Sequence, residues 1–203
     1  MSTRIAPRHR QEVPDAGAEG NERLTAMTGA ILLLGFAVEG FTVLSVRQML
    51  WAHVFVGALL IGPVLLKIGS TMYRFARYYT RSEPYVRKGP PSPVLRILGP
   101  FVILTSIAVL GTGVMLDFTG PGTSWLFLHK ATFVLWFGVM TIHVLNYAPR
   151  LPRLLSARSG YGGQYLLARG RSVRWLALLT SLAAGIAIAA ITLQLSGKWG
   201  LTL

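Results

Sequence analysis

Ionisable side chains are scarce in the long apolar stretches of this chain, and four of them are three histidines and a lysine: His53, His129, His143 and Lys67. A charged or titratable group inside an apolar stretch must recover its lost hydration from a partner, so each is a candidate for chemistry. An imidazole can ligate a metal through one ring nitrogen while the other is hydrogen-bonded. His53 lies about three residues into its apolar run and His129 about five into its own, so in helices running the same way the two rings stand level. Facing imidazoles with apolar walls are the axial ligands of a haem iron. The bland alternative is two interfacial histidines near the headgroups.

The second spacing lies within one run. His129 and His143 are 14 positions apart, which in a helix is about 40° short of four turns and about 21 Å along the axis. They therefore share a face, at a separation suited to one haem near each side of a bilayer. The same offset leads from His53 to Lys67, where a second axial ligand would be expected opposite His143. Lys67 admits three readings: an ammonium that meets a haem propionate or snorkels to the surface, a neutral amine ligating iron opposite His143, or a residue unrelated to haem. His143 then either ligates an inner haem or is a hydrogen-bonded core histidine. His9 lies in a polar arm and is set aside.

These residues are positioned by membrane helices. Of 203 residues 52% are hydrophobic and 13% charged, and the mean hydropathy of +0.52 is that of a bilayer protein. Five runs reach the roughly 20 apolar residues that a span needs: Thr25 to Leu44, Leu50 to Met72, Val94 to Leu116, Ser124 to Tyr147 and Val173 to Leu195. The expected fold is an all-α integral membrane bundle of five transmembrane helices, the first four forming a haem-binding core. The chain divides into a mobile polar arm (1–24), the four-helix core (25–147), a basic loop (148–172) and a fifth helix with a short tail (173–203). The first run follows a long polar stretch without a cleavage signature, so it reads as a retained helix rather than a signal peptide.

The formal net charge is +13, and its distribution gives a topology. Arg4, Arg8, Arg10 and Arg23 precede the first span; Arg74, Arg77, Arg81, Arg87, Lys88 and Arg96 separate the second and third; Arg150, Arg153, Arg158, Arg169, Arg171 and Arg174 separate the fourth and fifth. The other connections carry little beyond Arg47, and the tail carries Lys198. The positive-inside rule then places the N-terminus in the cytoplasm and the C-terminus outside, in an inner or plasma membrane. It also makes the second and fourth spans parallel. The basic faces attract anionic lipid rather than nucleic acid.

Other residues carry weaker signals. Glu39, near the outer end of the first span, either accepts protons from a quinol or meets Arg47, Lys130 or water. Asp117 reads as a solvated turn residue, with partner docking the alternative. Gly57, Gly62, Gly111, Gly113 and Gly138 admit either a flat macrocycle or close helix packing. Arg47, Lys130, Arg74 and Arg150 sit at propionate depth or act as interfacial anchors. The absence of cysteine excludes disulfides, iron–sulfur ligation and covalent haem attachment.

Taken together, Trp51-Ala-His53 with Gly57, Lys67 and Tyr73-Arg74-Phe75, followed by Leu128-His129-Lys130 and His143-Val-Leu-Asn-Tyr147, resemble the membrane cytochrome b subunits of respiratory oxidoreductases, such as those of hydrogenase and formate dehydrogenase. The resemblance covers roughly Thr25 to Tyr147. It implies that His53 and His129 ligate an outer haem b and His143 an inner one; Lys67 departs from the pattern, so one haem or two are implied. No dinucleotide fingerprint or P-loop is present. Electrons would pass between quinone and a partner redox protein, the chain acting as an electron-transfer subunit or a homo-oligomer in the membrane. The rival reading is a haem-free scaffold or assembly subunit. A transporter is disfavoured because no inverted repeat is visible, and an oxidoreductase acting alone at the iron would need an open coordination position.

Overall fold

The computed structural model describes residues 16–90, 93–150 and 170–195. His9, Arg153, Arg158, Arg169 and Lys198 lie outside them. The described residues form helices joined by short turns, without strands: α1 (Ala16–Leu44), α2 (Leu50–Tyr79), the short α3 (Glu83–Arg87), α4 (Pro93–Thr119), α5 (Ser124–Tyr147), a 3₁₀ turn (Ala148–Arg150) and α6 (Arg171–Leu195). The five long ones are each long and apolar enough to cross a membrane. The expected all-α membrane bundle is thus observed, and the protein is a multi-pass membrane protein.

Large apolar side chains face outward along every span, among them Leu34, Phe41, Leu65, Ile97, Phe127, Leu145 and Leu176. In water this surface would aggregate; in lipid it is the solvated face. The interior is correspondingly small, with Leu32, Leu60 and Val64 at its centre and Phe36, Val56, Leu59, Ile68 and Leu110 against them.

Several helix ends depart from expectation, α2 for one running on to Tyr79 past the expected Met72. α1 begins at Ala16, inside the arm expected to be mobile. Its added turns are held by charge: Lys88 Nζ lies 3.0 Å from Glu19 and donates to Glu22, which also faces Arg74 at 3.8 Å. Asn21 donates to the Ser70 carbonyl at 3.1 Å. The arm's acids thus find the basic connection that follows α2, an attraction between segments far apart in sequence. α4 likewise runs on to Thr119 and stops where Gly120 takes a positive φ of 87°, with its N–H on the Leu116 carbonyl at 2.8 Å. Asp117 therefore lies in a helical turn and is buried, 4% exposed, rather than in a solvated loop.

α2 is the central element. It packs along α1 and most extensively along α6, while α5 packs closely on α4. Pro63 interrupts α2 and, lacking an N–H, leaves the Leu59 carbonyl without its helical donor. α6 closes on that carbonyl: a Cβ on Gly185 would stand 2.1 Å from Leu59 O, and one on Gly62 would stand 2.0 Å from Ser181 O. Backbone thus meets backbone, the small-residue packing that stands in for hydrophobic burial inside a bilayer. Of the two roles open to Gly62, helix packing is the observed one. α6 thus braces α2.

Candidate functional site

The parallel course of α2 and α5 brings His53 and His129 together, with ring centres 6.3 Å apart and planes at 72°. Each ring is fixed through Nδ1. On His53, Nδ1 lies 2.9 Å from Glu39 Oε1 and 3.0 Å from Thr42 Oγ. Thr42 spends its own proton on the Glu39 carbonyl at 2.6 Å, so its oxygen accepts from the ring. On His129, Nδ1 lies 3.2 Å from the Val109 carbonyl and 3.3 Å from Thr112 Oγ. A carbonyl can only accept, and Thr112 donates to Ala108 at 2.8 Å. Both rings therefore carry a proton on Nδ1, and in the neutral form each keeps its lone pair on Nε2.

A neutral imidazole with Nδ1 bound to carboxylate or carbonyl and Nε2 free is the state in which histidine ligates metal. The separation fits as well: two imidazoles on one ion, each with a metal–nitrogen bond of about 2 Å, have ring centres about 6 Å apart. Among the described residues no three His, Cys, Asp or Glu side chains gather as a bare metal ion would require. A haem needs fewer, because its macrocycle supplies four nitrogens and the protein two. Two imidazoles at this spacing are what a haem would need from the protein.

Two glycines make room. A Cβ on Gly113 would stand 3.1 Å from His129 Cε1, and one on Gly57 would stand 3.2 Å from Glu39 Oε1. Gly111 and Gly138 face open space. Glu39 meets His53, not Arg47 or Lys130, and its Oε2 is buried with no hydrogen-bond partner among the described residues.

Lys67 and His143 sit together at the other end of the bundle, lining one cavity with residues of α1, α2, α4 and α5. Lys67 Nζ donates to the Thr25 carbonyl at 2.6 Å and lies 5.1 Å from the centre of the Tyr147 ring. The ammonium is thereby held inside the bundle rather than extended to the surface. His143 stacks on Tyr147, with ring centres 6.0 Å apart and planes at 7°. Its Nδ1 is buried without a hydrogen-bond partner among the described residues, so no second group fixes this ring as Glu39 and Val109 fix the other two. Between the ends lies an aromatic layer, where Phe36 meets Trp136 at 4.8 Å and Trp136 donates to Ser106 at 3.1 Å.

The supporting groups escape sequence reasoning in part. Thr42 stands three positions after Glu39 and shares its helix face, a signal that spacing carries. Thr112 and the Val109 carbonyl have no sequence signature, because a backbone acceptor can come from any residue. No family model, characterised protein or solved structure matches the chain.

Proposed function

We propose that this membrane protein is a b-type cytochrome, an electron-transfer subunit that carries electrons between the quinone pool and a partner redox protein. It holds one haem b, between His53 and His129. The observation that carries the reading is the matched anchoring of the two imidazoles, each held at Nδ1 by an acceptor, so that Nε2 is the atom that would ligate. Haem bound there supplies a one-electron carrier in an apolar setting.

The chain's own part is to hold and tune that carrier. Glu39 and Thr42 orient the His53 ring, and Val109 and Thr112 orient the His129 ring. The Glu39 carboxylate places negative charge next to a ligand, which favours the oxidised iron. With Lys67 donating to Thr25 and His143 lacking an orienting partner, the opposite end does not repeat the arrangement, so the proposal is a single haem. By the positive-inside pattern the histidine pair lies toward the outer face of the cytoplasmic membrane.

The test is a reduced-minus-oxidised visible spectrum of the detergent-purified chain, with pyridine haemochrome quantification. The expected result is a b-type spectrum, one haem per chain, and its loss in His53→Ala and in His129→Ala. A colourless protein that binds no haem on reconstitution would sink the proposal and leave the scaffold reading.

A further inference from the structure

The cavity at the Lys67 end has a volume of about 170 Å³ and is partly open. Its walls are mostly apolar, with Leu32, Phe36, Val64 and Met140 among them, and its ionisable groups are Lys67, His143 and Tyr147. An apolar cavity of about 150 Å³ suffices for benzene. This one, open on one side, accordingly takes a small ring head.

The lysine is the informative residue. A lysine near the end of a membrane span ordinarily extends its ammonium to the headgroups. Lys67 turns inward, where its hydrogen-bond partner is the Thr25 carbonyl. An ammonium has three protons, so donors remain for a guest. Glu19 and Glu22, the acids of α1 at this end, lie on Lys88 and so do not neutralise it. His143 adds a buried ring nitrogen, Nδ1, with no hydrogen-bond partner among the described residues. Two polar groups without sufficient partners converge on an apolar space inside membrane-spanning helices, so the guest comes from the lipid phase and brings polar atoms of its own.

We infer that this cavity binds the head group of an isoprenoid quinone, one carbonyl oxygen accepting from the Lys67 ammonium, the His143 imidazole serving the second polar edge, and the tail leaving into lipid. A ring with two carbonyls matches a cation and an imidazole together. A fatty acid, with one polar head, would use the lysine alone. The inference rests on the quinone-linked reading above and gives that reading a site.

The test uses the full chain in phosphatidylcholine nanodiscs, titrated with a naphthoquinone bearing one short prenyl tail and followed by quenching of tryptophan fluorescence. The expected result is saturable binding at one probe per chain, weakened about tenfold or more by Lys67→Met and by His143→Leu. Circular dichroism and gel filtration check that each variant is folded. Haem per chain, measured alongside, should be unchanged in both. Unsaturable quenching by the wild type, folded variants that bind as tightly as wild type, or displacement of the probe by equimolar oleate would each overturn the inference. So would loss of haem with Lys67→Met, which would make the cavity a haem site. Quinone binding by a haem-free protein would overturn the cytochrome reading and keep this site, whereas haem without quinone binding would do the reverse.

Discussion

The two ends of this bundle use the same side-chain chemistry in opposite states. At one, His53 and His129 are both held at Nδ1, by a carboxylate and a threonine in one case and by a carbonyl and a threonine in the other. At the other, His143 Nδ1 has no such acceptor among the described residues, and the ring lines a cavity shared with a lysine already bound to a carbonyl. A histidine acts as a ligand only when its surroundings choose its tautomer and fix its ring. The two α5 histidines, on one face of one helix, thus differ in what stands opposite them.

The sharpest way to break this contrast is to remove one histidine from each end. His53→Ala should abolish haem binding, while His143→Ala should leave haem per chain unchanged, read by pyridine haemochrome. Equal losses would mean that the ends are alike. A change that spares neither end comes next. Gly185→Leu drives a side chain into the Leu59 carbonyl, only 2.1 Å from where its Cβ would stand, and so parts α6 from α2, which carries residues of both ends. The variant should lose haem and quinone binding together and leave gel filtration as aggregate.

Smaller effects separate holding from tuning. Glu39→Gln keeps a hydrogen-bond acceptor for His53 but removes the charge. Haem affinity should fall about tenfold, as second-shell changes at metal sites do, and the midpoint potential should rise in a redox titration because the oxidised iron loses a stabilising carboxylate. An unchanged potential would remove Glu39 from the tuning role. The least change is expected from Gly113→Ala, whose Cβ would stand 3.1 Å from His129 Cε1. Haem content should stay constant while the low-spin electron paramagnetic resonance signal shifts as the ring turns; no shift would place His129 away from the iron.

Much of this arrangement was legible in the chain. Apolar runs of membrane length specify the five spans, because a bilayer leaves few options for backbone polar groups other than a helix. The level placement of His53 and His129 followed from their depths in two parallel spans. The helical start of α1 at Ala16 was not legible, since its first turns are fixed by Lys88 and Ser70, about fifty to seventy residues away in the chain. Nor was the burial of Asp117, which sits past the apolar run that marked the expected helix end.

What the sequence determined by itself is therefore the membrane, the number of spans and the residues able to do chemistry, because each depends on local composition and on the fixed rise and turn of a helix. Only the tertiary structure decided what each of those residues faces. Glu39 could have met Arg47 or Lys130 and meets His53; Lys67 could have reached the surface and turns to Thr25; Gly62 could have lined a cofactor and meets Ser181. Those outcomes depend on how helices rotate and cross, and the backbone carbonyls that settle two of them bear no mark in a list of side chains.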